Sequence, residues 1–160
     1  MQPLVNTSIQ PVWTSIRAIR DTVGQALAQY PSEFAGAAVM VASELLENSV
    51  KYGEAVTAAR VILFALGASD GQLRIETVNG STDVTAVHGL VSRVRLIRKT
   101  EDKGSLYLAR LQELLTNPSV SAQLGIYRIA FEGQFELDCT YENDVVTVVA
   151  TRGVPDGIAS

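Results

Sequence analysis

The chain has 160 residues, 47% of them hydrophobic and 19% charged, which suits one compact domain with a sizeable core and excludes a disordered chain. Its formal net charge is −4 and its 13 basic residues are scattered, apart from a small group at Arg93, Arg95, Arg98 and Lys99, so nucleic acid is not an expected partner. One cysteine, Cys139, excludes an internal disulfide, and with a single histidine, His88, it cannot build a zinc site of the usual kind.

In chain order, Met1 to Gln10 lacks the charged and apolar regions of a signal peptide, and no later apolar run approaches the ~20 residues that span a bilayer. No membrane partner is expected, and the cytoplasm is the expected compartment. Val12, Trp13, Ile16, Ile19, Val23, Ala26, Leu27 and Tyr30 recur at intervals of three and four, which predicts an amphipathic helix stopped by Pro31. Its apolar stripe is either core or the face of a homodimer. Ser32 is placed to cap a second helix over 33–52, with Gly53 as its stop. Small residues from Ala35 to Ala42 let that helix approach a neighbour closely.

Residues 60–66 read as a strand, Ser69-Asp70-Gly71 as a turn, and Leu73, Ile75 and Thr77 as one face of a returning strand. A polar loop, Asn79-Gly80-Ser81-Thr82-Asp83, leads to predicted helices over 84–97, 106–115 and 124–131. Phe135, Leu137, Cys139 and Tyr141 share one strand face. Glu142-Asn143-Asp144 turns the chain, and residues 145–151 return as the last strand. Strands in pairs with helices between them predict an α+β fold: a two-layer sandwich of one mixed sheet with helices on one face. A single domain over 1–152 and a loose tail over 153–160 complete the expectation.

One segment of the second helix carries chemistry. Glu44, Asn48 and Lys51 are four and three residues apart, so a helix stacks them on one face. That face offers a carboxylate to accept a proton, an amide oxygen for a hard cation and an ammonium for a phosphate. The plainer reading is a solvated face, with Glu47 and Lys51 as a surface pair worth ~0.3 kcal/mol.

In its context, E-L-L-E-N-S-V-K-Y resembles the asparagine box of the GHKL ATPases: histidine kinases, gyrase-type ATPases and the serine kinases of anti-sigma-factor systems. In that family the helix with the box precedes a hairpin ending in a glycine box, then a lid, a second glycine box opening a helix, and a final hairpin. The resemblance covers nearly everything from Ser32 to Arg152. It implies that Asn48 holds magnesium, that Glu44 activates the attacking group and that Lys51 meets a phosphate of ATP. Asn79 and Gly80 fall where the family reads adenine, and Gly125 falls where the last glycine box opens its helix and its N–H groups hold phosphates. Asn79 replaces the family's aspartate, and most glycines of both boxes are absent. Two helices between the boxes are similar in layout to the SiaB-type kinases of bacterial partner-switching modules. The implied function is a magnesium-ATP-dependent serine/threonine kinase acting on a small acceptor protein. The alternative is a GHKL-fold regulator that has lost catalysis and sequesters its partner. With no phosphoacceptor helix evident and His88 in the middle section, a histidine kinase is not expected.

Overall fold

The computed structural model describes residues 2–52, 61–118 and 124–156. Helix α1 (Trp13–Ala26) turns Ile16, Ile19 and Val23 inward, so most of the predicted stripe is core. Val12 and Trp13, at the start of the stripe, stay out, 47% and 56% exposed. Helix α2 (Ser32–Tyr52) follows, and the Pro31 carbonyl accepts from the Ala35 N–H at 2.9 Å. Pro31 therefore occupies the capping position, and Ser32, expected there, opens the helix itself. Ala38, Val41, Ala42, Leu45 and Leu46 are buried along α2, as its small and apolar residues lead one to expect. Gly53, the expected stop, lies outside the described residues.

Two tight hairpins supply four strands. Asp70 and Gly71 have φ of 51° and 71°, and they join β2 (Ile62–Ser69) to β3 (Gln72–Gly80). Asn143 and Asp144, at 52° and 61°, join β4 (Glu136–Glu142) to β5 (Val145–Gly153). Both turns twist with the strands they connect, because each central residue has positive φ, which Asn, Asp and Gly tolerate best. A fifth strand, β1 (Gln2–Ile9), was not foreseen; it pairs with β2, with a bulge between Pro3 and Val5.

The strand order is β1-β2-β3-β5-β4, and all four pairings are antiparallel. The expected mixed sheet is thus corrected to an antiparallel one. The physical reason lies in the second hairpin. Strands β3 and β4 run the same way but never touch, and β5, reversed by the Asn143 turn, lies between them. Strand β5 runs on to Gly153, and the Val154 N–H donates to the Gly71 carbonyl at 2.7 Å, so the chain stays attached past the expected start of the tail.

Alternation along the strands sends Ile62, Phe64, Leu66, Leu73, Ile75, Leu137, Val146, Val148 and Ala150 to the core face. The helices cover that face, giving the expected α+β two-layer arrangement. Asp83 caps α3 (Val84–Lys99) by accepting from the Ala86 N–H, and Asp102 caps α4 (Lys103–Thr116) from the Ser105 N–H, both at 3.0 Å. Helix α4 buries no residue fully and packs on α5 (Leu124–Phe131), with the rings of Tyr107 and Phe131 5.3 Å apart.

Candidate active site

Helix α2 presents Glu44, Glu47, Asn48 and Lys51 along one face, as the four-and-three spacing requires. The start of α5 faces them. Between the two helices lies a cavity of 440 Å³ lined by those four residues together with Leu124, Gly125, Arg128, Glu132 and Tyr107 of α4. Four of the residues singled out in the sequence, Glu44, Asn48, Lys51 and Gly125, are therefore brought together. Gly125 lies directly beneath the Glu44 side chain, and a Cβ there would require the carboxylate to shift. Asn48 is 7% exposed, and its Nδ2 has no hydrogen-bond partner among the described residues. A buried amide left unpaired is costly unless something else meets it, and its two ends exchange by a simple flip.

Asn79 and Gly80 do not line this cavity. Both are buried at the end of β3, where the Asn79 amide donates to the Gly80 carbonyl at 3.1 Å. The strand end is held by the Ser81 N–H on the Asp144 carbonyl (2.8 Å) and the Tyr141 hydroxyl on the Ser81 carbonyl (2.8 Å). Ser121, Ala122 and Gln123, the rest of the second glycine-box region, lie outside the described residues. His88 is exposed, edge-on to Tyr141 at 6.2 Å between ring centroids. Burial pushes the Cys139 thiol up to about 11, so it is no nucleophile at neutral pH.

Sequence reasoning missed Arg128, which joins the site together. Its Nη1 donates to Glu44 Oε1 at 3.0 Å and its Nε to Glu132 Oε2 at 2.7 Å. The Tyr107 hydroxyl donates to the other Glu132 oxygen at 2.8 Å. The only sequence signal for this chain of contacts is the i,i+4 spacing of Arg128 and Glu132.

Burial raises the Glu44 pKa above 4.5 and outweighs the opposing hydrogen bond from Arg128. Arg128, and then Tyr107, hold Glu132 below 4.5. The two carboxylates therefore act on stability in opposite directions. Ionised Glu44 costs stability at neutral pH, and that cost disappears as pH falls through its raised pKa towards 4.5. The contribution of Glu132 is present above 4.5 and is lost as pH falls through its depressed pKa. Glu44→Gln is expected to be more stable than the wild type at pH 7, with the advantage gone by pH 4.5. Urea-unfolding midpoints of the two proteins across that range check this, and a difference independent of pH would contradict it.

A wider groove of 820 Å³ runs beside α1 and α2, past Trp13, Arg17, Arg20 and Glu47. It is an open trough whose lining mixes the charged Arg17, Arg20, Asp21 and Glu47 with the apolar Trp13, Ile16 and Val39. Among the described residues, no helix is long and apolar enough to cross a membrane.

No protein-family model and no curated protein matches the chain. Among solved structures, the crystal structure of the RsbU and RsbW domains of Rv1364c from Mycobacterium tuberculosis is similar over 94% of this chain, with 16% identity and a TM-score of 0.54. The chain shares its α+β fold with that structure. It spans 32% of the length of that neighbour, and the likeness is one of fold.

Proposed function

We propose that this protein is a signalling component with a magnesium-ATP site of the GHKL type, acting as a serine/threonine kinase on a small acceptor protein of a partner-switching system. The observation that carries the reading is the convergence of Glu44, Asn48, Lys51 and Gly125 on one cavity. The fold shared with a structure containing an RsbW domain supports the same branch.

The residues present fit such a ligand. Among the described residues, no group of three or more His, Cys, Asp or Glu could hold a metal alone. Magnesium needs no such cage when a nucleotide supplies most of its oxygens and the protein one or two. Asn48 lines the cavity, and its amide oxygen would give one. Lys51 and the N–H groups at the start of α5 suit the phosphates. Three carboxylates against two cations line the cavity, so a bare polyphosphate is less welcome than its magnesium complex. Bound magnesium-ATP supplies the transferable phosphoryl group. Glu44, with its pKa raised by burial, is suited to take the proton of the attacking hydroxyl.

Calorimetric titration of ATP with and without magnesium tests this. Wild type is expected to bind only with magnesium, and Asn48→Ala to bind about tenfold more weakly or worse. No heat at millimolar magnesium-ATP would sink the reading. One observation favours a second: Arg128 already holds Glu44, which suits a protein that binds a partner without transferring phosphate. Nucleotide bound without transfer to any partner would select it.

A further inference from the structure

Arg128 has no step in the phosphoryl transfer proposed above, yet its geometry is specific. One edge of its guanidinium is anchored: Nε sits on Glu132 at 2.7 Å, and Glu132 is itself held by Tyr107 at 2.8 Å. The other edge reaches into the cavity and meets Glu44 at 3.0 Å. The arginine side chain is 42% exposed, open to a ligand arriving from solvent, whereas Glu44 is 16% exposed and held over Gly125. An arginine fixed at one edge can change partner at the other without moving, and phosphate is the natural competitor for carboxylate.

Resting on the nucleotide reading, we propose that Arg128 is a positioning residue that exchanges Glu44 for the terminal phosphate of a bound nucleoside triphosphate. While the cavity holds no triphosphate, Arg128 keeps the Glu44 carboxylate neutralised. A third phosphate takes over the free guanidinium edge in place of the carboxylate and leaves Glu44 free to accept a proton. The same contact selects triphosphate over diphosphate and monophosphate. A plain structural brace between α2 and α5 makes no distinction among the three.

The test is calorimetric titration of ATP, ADP and AMP, each with magnesium, into the full chain as wild type, Arg128→Gln, Arg128→Lys and Glu132→Gln. Arg128→Gln is expected to lose about tenfold in ATP affinity while ADP and AMP change less than about twofold. Arg128→Lys regains part of the loss. Glu132→Gln, which releases the anchored edge, narrows the preference for ATP over ADP. Equal weakening for all three nucleotides marks a structural brace and overturns the inference. So does unchanged ATP affinity in Arg128→Gln while wild type binds ATP, and the nucleotide reading then stands alone. Absence of any nucleotide binding by wild type ends both.

Discussion

Glu44→Ala is expected to keep magnesium-ATP bound and to lose phosphoryl transfer by about 10²-fold or more. On the proposed kinase reading, removing the carboxylate takes away the proton acceptor and one of the negative charges that would surround the phosphates, so affinity holds or rises. Arg128 is not stranded by the change, because Glu132 still accepts from its Nε. The variant therefore separates chemistry from folding more cleanly than most changes at a buried carboxylate. Transfer of radiolabelled phosphate to a candidate acceptor, beside a binding titration, reads both quantities. Equal transfer by variant and wild type would remove Glu44 from the chemistry. A helix-face ion pair alone predicts a stability change of a few tenths of a kcal/mol and no effect on ligand.

The largest loss of stability is expected from Phe34→Ala, about 3–5 kcal/mol. Phe34 is fully buried near the start of α2, with the Tyr30 ring 5.5 Å away and the Arg152 guanidinium 5.2 Å above its own ring. Arg152 also donates to the Gly133 carbonyl at 3.1 Å and reaches Glu33 at 3.4 Å. Truncation would open a cavity where α2, the end of β5 and the segment before β4 meet, and would remove the ring beneath the cation. Urea unfolding monitored by circular dichroism measures the difference. A loss below about 1 kcal/mol would mean that the site collapses around alanine or was loosely packed.

Local chemistry made much of this fold legible. The turns at Asp70 and Asn143 carry residues that accept positive φ, and each is flanked by alternating strands, so both hairpins stand in the sequence. The helices announce themselves by period and by caps such as Asp83 and Asp102. Strand β1 does not, because Gln2–Ile9 contains Pro3 and Asn6 and alternates weakly; it exists as a strand because β2 offers it an edge. The antiparallel sense of the sheet was equally hidden, since it depends on β5 settling between β3 and β4. Within the cavity, Glu44, Asn48 and Lys51 were readable because one helix sets their spacing. The pairing of Arg128 with Glu44 joins positions 84 residues apart, which no local pattern encodes. Asn79 shows the reverse limit. Its place at a strand end was readable, but not that its amide would turn to the neighbouring Gly80 carbonyl.

The middle of the sheet is joined by Gly80 pairing with Val145 and Gln72 with Gly153. Everything from α3 to β4 is therefore one closed excursion whose ends meet at that ladder. The entropy of closing such an excursion grows with the logarithm of its length, about 0.6 kcal/mol for each doubling. Helix α4, with no fully buried residue, adds little to the core to oppose a change in length there. The half of the domain that borders the cavity can thus lengthen or shorten in evolution, while the two hairpins keep their register and the α2 face stays in place. The surroundings of the cavity can diversify in this domain by insertion, without rebuilding the sheet.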